Sequence, residues 1–288
     1  MPATNTATRT PPAIVFSDLD GCLLDHDSYR FDAARPALAA IRRRGVPLIL
    51  TTSKTLAETI AISRALAIEQ PLIVENGCAL CLPRKPAYPF SLPAHEVVDG
   101  YAVVYLAPRY DQIRAFIDSE RTLHGWKLRG FGDMHSDEVA RLTGLPPDDA
   151  AKARQRLCSE PFVWQDDPER LDALREAAAH HGLRVVQGGR FWHLLGNTDK
   201  AIAVRRLCEL FDAAGWTTAW RIAVGDSEND RRMLEQADVA VIVQRSDGSH
   251  LDAHGRQLTV RSELPGPPGW NAALLALMTL PDTGSQPA

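Results

Sequence analysis

The chain has 288 residues, and its 32 lysines and arginines against 36 aspartates and glutamates give a formal net charge of −4 at pH 7. This balance argues against a nucleic-acid-binding protein, because such proteins normally carry an excess of basic residues. The hydrophobic content of 45% and the charged content of 24% are typical of a globular chain with a sizeable core. The length favours two domains over one.

The sequence carries no sign of membrane insertion or export. No stretch approaches the roughly 18 consecutive apolar residues of a membrane span, and residues 1–12 contain no apolar run that would serve as a secretion signal. Five cysteines are an odd number, which suits a reducing compartment better than a set of disulfides. We therefore expect a cytoplasmic protein with neither a membrane partner nor a nucleic-acid partner.

Short apolar runs alternate with helical patterns in the first part of the chain. The spacing predicts strands over residues 13–17, 46–50 and 71–74, and helices over residues 32–44 and 55–67. Strand, helix and strand in this order indicate a parallel sheet with helices on both faces.

The alternation returns near the other end of the chain. The pattern predicts helices over residues 200–214 and 227–236 and strands over residues 221–224 and 239–243. The predicted fold class is therefore α/β, with a Rossmann-like parallel-sheet core. In such sheets, ligands bind beyond the carboxyl ends of the strands.

The alternation of strands and helices is interrupted in the middle of the chain. This part contains scattered Pro and Gly residues, several aromatic residues, and helical patterns over residues 112–123 and 168–181. These features indicate an inserted second domain. The predicted organisation is a core domain over residues 13–93 and 196–280, an inserted α/β domain over residues 94–195, and flexible tails over residues 1–12 and 281–288.

Two acids follow the first predicted strand. Asp18 and Asp20 leave the apolar run and are followed by Gly21. Like charges this close repel one another unless a cation or a proton lies between them. A divalent metal solves the problem, and carboxylate oxygens suit Mg²⁺. The alternative is an ordinary turn, since Asp-Gly is a common turn dipeptide.

A second pair of acids follows a later predicted strand. Asp226 and Asp230 are four residues apart, so a helix that starts after Asp226 presents both on one side. Two acidic strand ends in one parallel sheet can converge on one site. The alternative for this run alone is a capped helix N-terminus.

Hydroxyl and amine groups lie between the two acidic runs in sequence. Thr52 and Ser53 follow the second predicted strand, and Lys200 opens a predicted helix. A hydroxyl donor and an ammonium charge are suited to holding phosphate oxygens. Taken singly, each is equally compatible with a solvated helix start.

Together these motifs resemble the haloacid dehalogenase superfamily of phosphohydrolases. The shared set is DxDGxxL over residues 18–24, Thr52, Lys200, and GDSxND over residues 225–230. The insertion is similar in placement to the α/β cap, type IIB, of the Cof-like branch. Within that branch, four further segments are similar to the mannosyl-3-phosphoglycerate phosphatases: residues 52–55, 75–77, 159–161 and 188–194.

The resemblance implies roles for the core acids. Asp18 is expected to be the nucleophile that forms an aspartyl phosphate, and Asp20 the general acid and then the general base. Mg²⁺ is the expected cofactor, held by Asp18, the backbone carbonyl of Asp20, and Asp226.

The remaining core positions follow from the same resemblance. Thr52 and Lys200 are expected to hold the phosphoryl oxygens, and Asp230, with Asn229 beside it, to support Lys200 or a metal-bound water. One departure is Cys22, which stands where the superfamily usually has Thr. A thiol is the weaker hydrogen-bond donor, so this substitution affects a supporting contact rather than the nucleophile.

The inserted domain is expected to choose the substrate, because the core offers only phosphate chemistry. A glycosyl phosphoglycerate carries a carboxylate, a phosphate and hydroxyls, so its pocket needs cationic and hydrogen-bonding groups. A surface ion pair stays open as the alternative for Arg156, as does a structural imidazole for His193. The candidate substrate-binding residues are Asn76, Arg156, Glu160, Gln187, Gly189, Arg190 and His193.

The expected function is a Mg²⁺-dependent phosphomonoester hydrolase acting on a small phosphorylated sugar. The leading substrate is mannosyl-3-phosphoglycerate or its glucosyl equivalent, converted to the glycosylglycerate, a compatible solute. Two alternatives stay open. One is another sugar-phosphate phosphatase, acting on sucrose, trehalose or hexose phosphate, which would leave Arg190 no substrate carboxylate to bind. The other is a catalytically idle phosphate-binding module, which would have no need of the second acid at Asp20.

Overall fold

The computed structural model describes residues 13–84, 89–188, 191–216 and 220–279. The tails predicted over residues 1–12 and 281–288 lie outside this part of the chain. The described residues form two compact units: unit 1 comprises residues 13–49, 89–91, 208–216 and 220–279, and unit 2 comprises residues 50–84, 92–188 and 191–207. Among the described residues, no helix combines the length and apolar character needed to cross a membrane.

The helices and strands alternate along most of the chain. The strands are β1 (Ala13–Ser17), β2 (Leu48–Thr51), β3 (Leu72–Val74), β4 (Ala79–Pro83), β5 (Glu96–Val98), β6 (Tyr101–Tyr105), β7 (Leu128–Gly130), β8 (Ser159–Trp164), β9 (Leu183–Gln187), β10 (Trp192–Gly196), β11 (Trp220–Gly225), β12 (Val239–Gln244) and β13 (Leu258–Pro265). The α-helices are α1 (Arg35–Arg43), α2 (Leu56–Leu66), α3 (Tyr110–His124), α4 (Ser136–Thr143), α5 (Pro147–Ala153), α6 (Arg170–His180), α7 (Lys200–Ala213), α8 (Arg231–Gln236) and α9 (Gly266–Thr279).

Unit 1 contains parallel strands in the order β13-β12-β11-β1. The register places Ser17 of β1 opposite Val224 of β11, so both strands end at the same level. Helix α9 packs against α1 and β13. Its fully buried Trp270 donates a hydrogen bond from Nε1 to Ser17 Oγ at 2.9 Å, and Ser17 Oγ donates to the carbonyl of Asp18 at 2.7 Å. The chain that leaves β1 is therefore anchored from the helical side.

Unit 2 contains two groups of strands. The last two residues of β2 pair in parallel with β3, whereas β3, β4, β6 and β5 follow one another as antiparallel neighbours. A separate four-stranded sheet has the order β7-β8-β10-β9, with every pairing antiparallel. The α/β class and the parallel sheet predicted from the sequence are confirmed.

The four-stranded sheet has a core on each face, because side chains alternate between the faces of a strand. Phe162 and Leu194 pack with apolar residues of α3 and α6. The neighbouring Val163 packs with Phe131 and with apolar residues of α4 and α5.

Candidate active site

Unit 1 brings two of the predicted acids together at the ends of neighbouring parallel strands. Asp18 follows β1 and donates its backbone N–H to the carbonyl of Val224 at 2.9 Å, which places it beside the end of β11. Asp226 follows β11 directly. One ligand atom each from Asp18, Cys22 and Asp226 lies within 4.8 Å of the others. This donor set fits a divalent cation, which carboxylates of this kind hold between them.

The loop after β1 is folded tightly on itself. The backbone N–H groups of Cys22 and Leu24 both donate to the carbonyl of Leu19, and Gly21 N–H donates to the carbonyl of Leu24. Gly21 has φ +76°, a conformation that side-chain-bearing residues rarely adopt. A Cβ at this position would also lie 3.0 Å from Asp226 Oδ2. The glycine therefore lets the loop approach Asp226 closely.

Asp230 organises the loop that carries Asp226. The Asp230 side chain is fully buried, and its Oδ2 accepts hydrogen bonds from the backbone N–H groups of Asp226 and Ser227, both at 3.2 Å. Ser227 Oγ is 3.3 Å from the same oxygen and 2.7 Å from Oδ1 of the exposed Asn229. Supporting Lys200 or a metal-bound water stays a prediction for Asp230. What its contacts do in unit 1 is hold the backbone of Asp226.

Arg245 also contacts this loop, and the sequence analysis did not single it out. Its Nε donates to the carbonyl of Asp226 at 2.9 Å. The residue lies just after β12, so no local motif connects it with the acidic run. The parallel pairing of β11 with β12 brings it there.

Unit 2 brings together Thr52, Asn76 and the start of α7. Thr52 N–H donates to the carbonyl of Ile73, and Asn76 N–H donates to the carbonyl of Thr52 at 2.9 Å. A Cβ at Gly77 would lie 2.2 Å from the carbonyl oxygen of Asp199 and 2.9 Å from Lys200 N, so only glycine allows this approach. Thr52 and Lys200 are each only 1% exposed. Their polar groups therefore face protein or a bound ligand rather than bulk water.

Glu75 is a buried acid that the sequence analysis did not select, although it belongs to the segment 75–77 quoted for the resemblance. Its Oε1 accepts a hydrogen bond from Leu157 N–H at 2.7 Å, and its Oε2 accepts from Cys158 N–H at 3.1 Å and from Ser159 Oγ at 2.6 Å. Burial raises the pKa of Glu75, and the nearby charge of Arg156 opposes that shift. One carboxylate thus fastens the segment between α5 and β8.

Arg156 lies at the edge of that fastened segment. Its Nε donates to the carbonyl of Ala153 at 2.8 Å, and its Nη1 donates to the carbonyl of Ser53 at 3.1 Å. The guanidinium is therefore held beside the backbone that follows Thr52. Its charge also acts to lower the pKa values of Glu160 and His193.

Glu160 is fully buried, and its Oε1 accepts a hydrogen bond from Gly132 N–H at 2.8 Å. Arg114 Nη1 lies 3.8 Å from the same oxygen. Burial raises the pKa of Glu160, while Tyr110, Gly132 and Arg114 oppose the shift. Substrate contact stays a prediction for this residue; its contacts within unit 2 tie β8 to α3 and to the turn after β7.

The other substrate-binding candidates have different surroundings. Burial, with a smaller contribution from the charge of Arg156, lowers the pKa of His193 to about 3, so the imidazole is neutral at pH 7. Gln187 is exposed at the end of β9, opposite Trp192. Gly189 and Arg190 lie outside the described residues.

The chain belongs to the haloacid dehalogenase-like hydrolase family, whose model matches residues 15–99 and 154–253, together more than half of the sequence. This assignment confirms the resemblance carried by the motifs at Asp18, Thr52, Lys200 and Asp226.

Two relatives are similar to this chain over nearly its whole length. A glucosyl-3-phosphoglycerate/mannosyl-3-phosphoglycerate phosphatase from Persephonella marina is 36% identical over 266 residues, which cover 92% of this chain and 97% of the relative. A protein of the same name from Methanococcoides burtonii is 37% identical over 267 residues, with the same two coverages.

Solved structures share the fold at lower identity. A haloacid dehalogenase superfamily protein from Bacteroides thetaiotaomicron, BT1666, is similar with a TM-score of 0.61 and 15% identity, over 96% of this chain and 98% of the other. The subclass IIB sugar phosphatase BT4131 is similar with a TM-score of 0.60 and 15% identity, over 92% and 98%.

Proposed function

We propose that this chain is a Mg²⁺-dependent phosphatase that converts mannosyl-3-phosphoglycerate or glucosyl-3-phosphoglycerate to the glycosylglycerate and phosphate. The observation that carries the proposal is the 36% and 37% identity to two phosphatases named for these substrates, over 92% of the chain. The closely placed Asp18 and Asp226 supply the acids that such chemistry requires.

Asp18 and Asp20 carry the chemical steps. Asp18 attacks phosphorus while the bond from phosphorus to the 3-oxygen of the glycerate breaks, and Asp20 protonates that departing alkoxide. Asp20 then takes a proton from the water that attacks the aspartyl phosphate, which releases phosphate and restores Asp18. Bound Mg²⁺, held by Asp18, the carbonyl of Asp20, and Asp226, supplies neutralising charge for the approach of carboxylate to phosphate.

Thr52 and Lys200 bind phosphoryl oxygens in this proposal. Support comes from their burial and from the neighbouring positions of Thr52, Asn76 and the start of α7 in unit 2. A lysine ammonium is a compact positive charge that binds phosphoryl oxygens, and a threonine hydroxyl can donate a hydrogen bond to them. Asp230 keeps Asp226 in place through its contacts with the backbone.

A cap over residues 94–195 selects the substrate, and a core domain over residues 13–93 and 196–280 carries the chemistry. The support is that β7, β8, β9 and β10 form their own sheet with their own apolar clusters within residues 128–196. Arg156 and Arg190 bind the substrate carboxylate, and Asn76, Glu160, Gln187, Gly189 and His193 contribute polar contacts. Five free, buried thiols suit the reducing cytoplasm, where we place the protein.

The test is phosphate release from a panel of substrates, with and without Mg²⁺. The panel contains mannosyl- and glucosyl-3-phosphoglycerate, sucrose phosphate, trehalose phosphate and hexose phosphates. We expect metal-dependent release from the two glycosyl phosphoglycerates, loss of that release in Asp18→Asn, and retention in Asp27→Asn. Asp27 is an exposed acid in the same segment, which makes it a matched control.

Each contrary outcome identifies a different error. Efficient release from the other sugar phosphates alone would leave the chemistry in place and overturn the substrate assignment. Full activity of Asp18→Asn would overturn the assignment of Asp18 as the nucleophile. Bound Mg²⁺ without turnover of any phosphomonoester would favour an idle phosphate-binding module.

A further inference from the structure

The proposed metal site contains a thiol in addition to its carboxylates. Cys22 is fully buried, and its Sγ donates a hydrogen bond to Asp226 Oδ1 at 3.7 Å. Asp18 completes a group of three whose ligand atoms all lie within 4.8 Å of one another. The two carboxylates belong to the magnesium site proposed above, but the sulfur is not a ligand that Mg²⁺ favours.

The position of the sulfur is set by the fold of its loop. Cys22 N–H donates to the carbonyl of Leu19 at 3.1 Å, and the glycine before it packs against the Asp226 carboxylate. No long side chain has to be ordered when a metal binds, because Sγ is only one bond from Cβ. The thiol is thus held ready as a donor.

The distance between sulfur and oxygen suits a tetrahedral metal. For bonds of about 2.3 Å to sulfur and about 2.1 Å to oxygen, the tetrahedral angle separates the two ligand atoms by about 3.6 Å, and a right angle separates them by about 3.1 Å. The hydrogen bond from the Cys22 thiol already holds the two atoms 3.7 Å apart, so a tetrahedral metal that replaces the thiol proton needs almost no movement of either ligand. Zn²⁺ and Co²⁺ accept this geometry and this mixture of sulfur and oxygen ligands.

We propose that Cys22 is a ligand, with Asp18 and Asp226, for thiophilic divalent cations such as Zn²⁺ and Co²⁺, which compete with Mg²⁺ for the two carboxylates. On coordination the S–H bond breaks, its electron pair forms the sulfur–metal bond, and the proton passes to the buffer, with no change of oxidation state. The inference rests on the proposed metal role of Asp18 and Asp226.

Co²⁺ reports directly on its ligands, so the test is titration of the full-length protein with Co²⁺ in the absence of Mg²⁺. The wild-type protein is expected to develop a sulfur-to-cobalt charge-transfer band in the near ultraviolet, saturating at one equivalent. Cys208→Ser, which changes a buried thiol elsewhere in unit 1, is expected to behave as the wild type does. Cys22→Ser is expected to lack the band and to bind Co²⁺ at least about tenfold more weakly.

The outcomes separate this inference from the proposed function. Co²⁺ bound by the wild type without the band, or a band that persists in Cys22→Ser, overturns the sulfur ligand alone. No Co²⁺ retained by the wild type in equilibrium dialysis overturns the metal site itself, while the substrate panel tests phosphatase activity independently. Cadmium-113 NMR of the wild type needs no variant: a shift typical of sulfur ligation supports the proposal, and a shift typical of oxygen ligands alone overturns it.

Discussion

Removing the Glu75 carboxylate tests how strongly one buried acid holds unit 2 together. Three donors depend on it: the backbone N–H groups of Leu157 and Cys158 and the hydroxyl of Ser159. A buried donor left without an acceptor costs about 1–3 kcal/mol, so Glu75→Ala is expected to lower the free energy of unfolding by roughly 3–6 kcal/mol. The range allows for water reaching Leu157, which is only half-buried.

The Gln variant separates hydrogen bonding from charge. The amide oxygen of Glu75→Gln can still accept from one backbone N–H, and its NH₂ group can donate to the Ser159 hydroxyl, but one backbone donor loses its acceptor. We therefore expect Glu75→Gln to lower the free energy of unfolding by about half as much as Glu75→Ala does.

The assay is urea unfolding followed by circular dichroism. Glu69→Ala, which removes an exposed glutamate of the same unit, serves as the control and is expected to stay within about 0.5 kcal/mol of the wild type. If Glu75→Ala unfolds at the same urea concentration as Glu69→Ala, the three hydrogen bonds do not stabilise the unit and the reasoning is wrong.

Three further predictions follow from the described contacts. Burial raises the folded-state pKa of Glu75, so the contribution of this group to the free energy of unfolding is fully present at low pH and is lost as the pH rises through that pKa. Unfolding curves recorded at rising pH should therefore show the wild type becoming less stable relative to Glu75→Gln. The ring-proton NMR signals of His193, identified by their absence from His193→Gln, should not shift between about pH 5 and pH 8, since its pKa is lowered to about 3; titration near neutrality would contradict its burial. Gly225→Ala should weaken Mg²⁺ binding at least about tenfold in calorimetry, because the added Cβ would lie 2.5 Å from Asp230 Cβ and shift the loop that carries Asp226; unchanged affinity would count against this role of Asp230.

Local signals in the sequence predict several elements closely. The strand predicted over residues 13–17 is β1 with both ends in place, because a short apolar run ends at the first acid. The helix predicted over residues 55–67 is α2, which Thr55 caps by accepting from Glu58 N–H while the Glu58 side chain accepts from Thr55 N–H. Apolar spacing and capping chemistry act over a few residues, so they are visible in the chain alone.

Local signals do not predict how two of the helices begin, and they do not predict strand β4. The helix predicted over residues 32–44 begins as a 3₁₀ turn at Asp32–Ala34 before α1, and the helix predicted over residues 227–236 begins as a 3₁₀ turn at Glu228–Asp230 before α8. Strand β4 is absent from the strands predicted from the sequence, although its burial matches that of a central strand. Its pairing with β3 and β6 requires the turn at 75–77, where Glu75 and Asn76 both have positive φ.

The sequence by itself determined the α/β class, the family, and the acids that follow β1 and β11, because strand periodicity and short motifs are local properties of the chain. Tertiary structure decided which of these groups meet. Cys22 and Asp226 are 204 positions apart, and Glu75 is 82 positions from the first backbone N–H that it binds. Parallel strand pairing and close contacts at glycines bring these residues together. Neither produces a local pattern of residue spacing from which the contact could be predicted.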